Sequence, residues 1–125
     1  MQMRSITTAL IAVVCVATIA SASADRKAAR ERVGACTVTT ITFVGWRAGN
    51  TGSVIEYANG FWQVDYNLIA GIHNSRRGDR VRLCLTDIPK NCPKGDERGR
   101  TYKATNLRTR ETWSAINSEH FCGGA

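Results

Sequence analysis

The residues best suited to proton transfer are the 2 histidines of this 125-residue chain, because histidine titrates nearest to neutral pH. His73 and His120, the second preceded by Glu119, could supply a general acid and a general base. Lys103 or an arginine could then stabilise a phosphorane. Such a set predicts a small secreted phosphodiester hydrolase of the ribonuclease type. Nothing in the spacing brings the two imidazoles together, so this hydrolase is the alternative interpretation and not the first.

Other catalytic and metal-binding patterns are missing from the sequence. It contains no Gly-x-Ser-x-Gly elbow, P-loop, dinucleotide fingerprint or calcium loop. The cysteines lack the Cys-x-x-Cys spacing that is typical of a zinc site. We therefore expect no metal and no cofactor, and a binding protein rather than an enzyme.

The positive charge of the chain is concentrated in one region. Lysine and arginine total 17 against 10 aspartates and glutamates, a formal net charge of +7. Residues 76–110 hold most of this excess, and arginine outnumbers lysine there. The planar guanidinium suits bidentate contact with phosphate, sulfate or carboxylate. We predict an anion-binding face for an anionic polymer, a lipid headgroup or an acidic protein, formed by Arg80, Arg82, Arg98, Arg100, Lys103 and Arg108; the plainer explanation is a solvated surface.

The N-terminal segment has the organisation of a secretory signal. Arg4 precedes the apolar run Ala9–Ala17, and Ala22-Ser23-Ala24 supplies small residues for a signal peptidase. The run is too short to span a bilayer, which needs about 20 apolar residues. We expect cleavage after residue 24, no transmembrane segment in the mature chain, and a secreted or periplasmic monomer.

Cysteine usage agrees with export. The sequence has 5 cysteines, of which Cys36, Cys84, Cys92 and Cys122 follow the predicted cleavage point. An even number in a small exported domain is typical of two disulfides, and three pairings are open. We favour Cys84–Cys92 as a short clasp, which leaves Cys36–Cys122 to tie the two ends of the domain together.

Short strands separated by turns dominate the rest of the chain. The segments 37–44, 80–85, 101–107 and 111–114 are rich in β-branched residues or alternate between apolar and polar. No apolar stripe with a helical period is present. The pattern predicts a mainly β domain over residues 36–125, preceded by a charged arm over 25–35. We expect a small, disulfide-stapled antiparallel barrel or sandwich of about five or six strands.

The clearest local signal is Asn59-Gly60, a favoured two-residue hairpin turn. A turn of that length places Tyr57 opposite Trp62 and Glu56 opposite Gln63. Trp62 would then face the core and Gln63 the solvent. Among the other aromatic residues, Trp46 lies in a glycine-rich loop and is the one we expect to be exposed.

Overall fold

The structure, a computed structural model, describes the backbone of residues 12–124 and the side chains of residues 21–124. Residues 1–11 of the predicted signal peptide lie outside this range, so its cleavage stays a prediction. A 3-10 turn at Ala48–Asn50 follows the first strand. In chain order the elements are α1 (Ala12–Glu31), β1 (Cys36–Gly45), β2 (Ser53–Tyr57), β3 (Trp62–Asp65), α2 (Ala70–His73), β4 (Arg80–Asp87), β5 (Thr101–Asn106) and β6 (Thr112–Ile116).

The strands form a closed antiparallel barrel in the order β1-β2-β3-β6-β5-β4. Two meanders, β1–β2–β3 and β4–β5–β6, meet along the β1–β4 and β3–β6 seams. This architecture confirms the predicted fold class. The β1–β4 seam has five paired positions, whereas the β3–β6 seam has only one, Val64 opposite Ile116.

The core lies inside the barrel and follows the alternation of the strands. Val81, Leu83 and Leu85 of β4 point inward and are at most 1% exposed. The arginines between them point outward, because successive side chains of a strand face opposite sides. The alternation of residues 80–85 thus corresponds to an inner and an outer side of β4.

Two helices pack against the barrel. Ala29 of α1 is fully buried in the core cluster, and Arg30 next to it lies over the ring of Phe61 at 4.5 Å. In α2, Ile72 is fully buried, and a Cβ at Gly71 would come within 2.8 Å of the Trp113 ring. The charged arm predicted over residues 25–35 is thus mostly the end of a packed helix. None of the helices in the described range is long and apolar enough to cross a membrane.

The predicted disulfide pairing is wrong. The bonds are Cys36–Cys84 and Cys92–Cys122, rather than Cys84–Cys92 and Cys36–Cys122. Cys36 and Cys84 are direct partners in the β1–β4 ladder, which places their side chains together outside the barrel. Cys92 lies in the long loop after β4, and its partner lies in the C-terminal tail. One bond therefore crosses the barrel seam and the other joins the loop to the tail.

The predicted register of the first hairpin is wrong by one residue. Tyr57 is not opposite Trp62. Its backbone N–H donates a hydrogen bond to the carbonyl of Phe61. The loop thus has three residues and ends at Gly60, whose φ of +83° favours glycine. Ile55 is then opposite Gln63 and Glu56 is opposite Trp62. Gln63 consequently faces the core and Trp62 the solvent, the reverse of the expectation.

Gln63 forms a hydrogen-bond network inside the barrel. Its Oε1 accepts hydrogen bonds from the Tyr57 hydroxyl at 2.7 Å and the Trp113 Nε1 at 3.0 Å. Its Nε2 donates to the carbonyl oxygens of Tyr102 at 2.9 Å and Ala115 at 3.0 Å. Burial raises the pKa of the Tyr57 hydroxyl, which keeps that group a donor. Both ends of the amide are therefore satisfied at a site only 1% exposed.

We expect Gln63→Leu to destabilise the fold by about 3 kcal/mol or more, because it leaves two donors and two carbonyls in the core without hydrogen-bond partners. Tyr57→Phe removes one donor and should cost about 1 kcal/mol. Urea unfolding followed by circular dichroism measures both, with the exposed Glu56→Ala as a control expected within about 0.5 kcal/mol of wild type. Equal stability of Gln63→Leu and wild type would contradict this role.

Candidate functional site

Three of the six residues predicted to bind anions share one surface. Arg80 and Arg82 lie on the outer side of β4, and Lys103 lies on the outer side of β5. Arg82 is opposite Thr105 and Lys103 is opposite Cys84, so Arg82 and Lys103 are diagonal neighbours across the two strands. These three residues are called the basic face below.

The surroundings of the basic face are uncharged on the neighbouring strands. On β1, Thr40 is opposite Arg80 and Val38 is opposite Arg82. Within residues 21–124, no carboxylate forms an ion pair within 4.0 Å of the three cations. Asp25 of α1 lines a groove together with Arg82. The face is thus a local excess of positive charge.

Arg98 and Arg100 lie away from that face and are engaged with loop carboxylates. Arg98 donates from Nε and Nη2 to the two oxygens of Asp96, at 2.9 and 2.8 Å. This fork lowers the pKa of Asp96 and raises that of Arg98. Arg100 pairs with Glu97 at 3.3 Å and donates to the carbonyl of Arg30. Both guanidiniums therefore hold the loop before β5.

Arg108 also has a structural partner. It lies in the β5–β6 turn and donates from Nε and Nη2 to the two carboxylate oxygens of Asp79, at 2.7 and 2.8 Å. Asp79 is only 6% exposed and also accepts hydrogen bonds from Asn106 Nδ2 and the backbone N–H of Arg76. The hydrogen bonds from Arg108 are the largest cause of the lowered pKa of Asp79, and they outweigh the effect of burial. The anion that Arg108 binds is thus one of the chain's own.

A second surface combines aromatic rings with cations. The indole of Trp46 stacks on the imidazole of His73, with 4.3 Å between ring centroids and 29° between planes. Trp46 is 53% exposed, which confirms its predicted exposure. With Phe43, Arg76 and Arg77 the pair lines a groove of about 540 Å³. The groove, called the aromatic groove below, is lined by Thr42, Phe43, Val44, Gly45, Trp46, His73, Ser75, Arg76 and Arg77.

Hydrogen bonding to Ser53 fixes the orientation of His73. The Ser53 hydroxyl donates its proton to the carbonyl of Asn67 at 2.9 Å and accepts from the Ile69 N–H. The contact of 2.9 Å between Ser53 Oγ and His73 Nε2 therefore requires the imidazole to donate. Ser53 is fully buried, so the pair has neither the proton direction nor the access of a nucleophile and its base.

The two histidines line different grooves. His73 belongs to the aromatic groove, whereas His120 lines another with Trp62 and Arg98, of about 590 Å³. Glu119 forms an ion pair with Arg47 at 3.7 Å, and Lys103 belongs to the basic face. The residues proposed for phosphodiester hydrolysis are thus spread over three surfaces, and the hydrolase stays a prediction. In the part of the chain described here, no cluster of three or more His, Cys, Asp or Glu side chains could hold a metal ion.

The sequence alone did not reveal the aromatic groove as a unit. Phe43 and Trp46 are close in sequence, but His73, Arg76 and Arg77 reach them only through the packing of α2. Strand alternation alone would place Phe43 on the same side as the buried Ile41, but a register shift between these two residues turns Phe43 outward. Comparisons of the chain with protein-family models, with curated proteins and with solved structures gave no match.

We expect Asp79→Asn to be less stable than wild type by about 1–3 kcal/mol at pH 7, because it breaks the fork to Arg108. The lowered pKa of Asp79 stabilises the fold above the unfolded pKa of about 4, and this contribution is lost as the pH falls. The difference in melting temperature between the two proteins should therefore narrow from pH 5 towards pH 2. Asp87→Asn on the surface controls for the loss of one carboxylate, and a pH-independent gap for Asp79→Asn contradicts the assignment.

Proposed function

We propose that the chain is an exported, non-enzymatic domain that binds an anionic polymer on the basic face. The observation that carries this proposal is the placement of Arg80, Arg82 and Lys103 on one outer surface, without a carboxylate partner among the described side chains. Like charges on adjacent strands repel each other, and a bound polyanion relieves this repulsion.

The surface favours an extended partner over a small one. The basic face lies on the outside of a barrel and not in an enclosed cavity, so it offers little burial to a small molecule. Successive outward residues of a strand are about 7 Å apart, which suits a linear array of charges. The affinity of such a contact comes mainly from the release of counterions and falls with salt.

The covalent structure supports an oxidising location. The Cys36–Cys84 disulfide crosses the barrel seam, and the Cys92–Cys122 disulfide fixes the long loop to the tail. Disulfides of this structural kind persist outside the reducing cytosol, which is consistent with an extracellular or periplasmic protein. The predicted cleavage after residue 24 supports the same location, and it would leave Asp25 as the first residue, in the groove that Arg82 lines.

We expect labelled heparin to bind wild type with an affinity that falls about 20- to 40-fold between 50 and 200 mM salt, as three ionic contacts predict. Replacing Arg80, Arg82 and Lys103 by Gln together should abolish most of this binding. The matched control replaces the exposed residues Arg26, Arg32 and Lys94 by Gln. It removes the same charge from the same residue types, two arginines and one lysine. Asp25→Asn should strengthen binding, because it removes a carboxylate from the groove that Arg82 lines.

Two results would overturn the proposal. Equal losses in the basic-face triple variant and in its matched control would show that only net charge matters. Salt-independent retention would show that the contact is not ionic. Degradation of RNA by wild type, lost in a variant with both His73 and His120 replaced by Ala, would instead support the hydrolase.

A further inference from the structure

We propose that the aromatic groove is a stacking site for an unpaired base, and that the anionic polymer is a single-stranded nucleic acid. The proposal rests on the proposed function and names its ligand. The juxtaposition that carries it is the exposed Trp46–His73 stack beside Phe43, Arg76 and Arg77. Aromatic rings that stack on bases and cations that meet phosphates are the two parts of a single-strand binding site.

Contacts within the protein already hold the Trp46–His73 stack in place without a ligand. One face of the Trp46 indole is covered by His73, whose Nε2 is bound to the fully buried Ser53. The adjacent Arg47 fixes the loop, because its guanidinium lies 3.8 Å above the Tyr66 ring and bonds to Thr51. A ring that is ordered in advance loses little conformational freedom on binding. Trp46 nevertheless remains 53% exposed.

Phe43 supplies a second ring in the same groove. It is 47% exposed, and its ring folds back over Gly45, where a Cβ would lie 2.5 Å from the Phe43 Cζ. Gly45 therefore determines where this ring lies. Two exposed aromatic rings thus line one groove, whereas Tyr57, Tyr102 and Trp113 are buried in the core.

The charges of the groove select an anion. Arg76 and Arg77 line it, and none of its lining residues is acidic. The Arg76 side chain is 72% exposed, and its ion pair with Asp79 is long, at 3.7 Å. Both oxygens of Asp79 also accept hydrogen bonds from Arg108. Arg77 is exposed and lies three residues before Arg80, so their Cα atoms are at most about 11 Å apart. A single strand could therefore run from the groove onto the basic face.

The polar groups of the groove argue against a sugar. Recognition of a saccharide requires donors and acceptors for its hydroxyls. The Ser75 hydroxyl already donates to the Gly71 carbonyl and accepts from Asn106. No amide or carboxylate side chain lines the groove. Without amide or carboxylate side chains to read base edges, the groove is expected to bind any base sequence, and a duplex is disfavoured because its bases are stacked internally.

The first test compares oligomers that differ only in their bases. We expect wild type to bind a thymidine 12-mer about 5- to 150-fold more tightly than an abasic 12-mer with the same phosphates, and more tightly than a 12-base-pair duplex. Trp46→Ala should reduce the affinity for the thymidine oligomer to that for the abasic one, and Trp46→Phe should retain part of the preference. Trp62→Ala removes the other half-exposed tryptophan and should leave the preference intact.

Fluorescence gives a readout that affinity alone does not. Binding of the thymidine oligomer should quench the emission of Trp62→Phe, in which Trp46 remains, and should leave that of Trp46→Phe unchanged. Gly45→Ala removes neither charge nor ring but displaces Phe43, so it should weaken the preference for bases without a change in heparin binding. The near-ultraviolet spectrum of the buried Trp113 verifies that each variant is folded.

The outcomes separate this inference from the proposed function. Equal affinity for the thymidine and abasic oligomers, with heparin binding intact, overturns base stacking but does not contradict anion binding by the basic face. An affinity for the thymidine oligomer that is unchanged by loss of Arg80, Arg82 and Lys103, with the base preference retained, supports the stacking site and overturns the proposed face. Quenching by an acidic aromatic peptide but not by the oligonucleotide assigns the groove to a protein partner and overturns the inference.

Discussion

The β3–β6 seam of the barrel depends on the side-chain amide of Gln63. These strands share one paired position, Val64 opposite Ile116, so the backbone alone provides little to join them. Gln63 extends the junction from β3 to the carbonyls of Tyr102 on β5 and Ala115 on β6. Its other end receives Tyr57 and Trp113. Because every one of these groups is buried, each would be costly without its partner, and the network therefore specifies one arrangement of the three strands.

Closure of the barrel determines what the outer surface presents. Once β1 pairs with β4, the inward positions of β4 are occupied by Val81, Leu83 and Leu85, and the arginines between them must face outward. The Cys36–Cys84 bond lies on this same outer side and joins β1 to β4 next to the basic face. At the other surface, burial of Ile72 in the core sets the position of α2 and therefore that of His73. Core packing thus places both candidate binding surfaces.

Local patterns in the sequence predicted the strands better than their partners. The alternation in 80–85 and the β-branched run in 37–44 were sufficient for β4 and β1, because strand period and residue type are local properties. The disulfide pairing and the β2–β3 register were wrong for different reasons. Pairing depends on which strands become neighbours, and Cys36 meets Cys84 only after closure. The register depended on a turn of three residues rather than two, and the apolar sorting favoured Trp62 over Gln63 as the core residue.

The candidate site shows the same division between local and tertiary information. Composition placed the excess charge in residues 76–110, but it could not separate cations with internal partners from those without. That separation needs the turns and loops: Asp79, Asp96 and Glu97 engage Arg108, Arg98 and Arg100. The aromatic groove was less accessible still, since its rings and cations come from β1, the loop after it, α2 and the turn before β4.

The distribution of partners among the cations is itself an argument for binding. Three cations that support loops or turns of this fold, Arg98, Arg100 and Arg108, each have a carboxylate within 3.5 Å. The outward positions of β4 and β5 lack such compensation, although their neighbours on β1 and β6 are threonine, serine and valine, which acidic residues could replace without disturbing the core. Among the side chains of residues 21–124, no carboxylate ion pair offsets the repulsion between Arg80, Arg82 and Lys103. The polyanion that we propose as the partner would offset this repulsion.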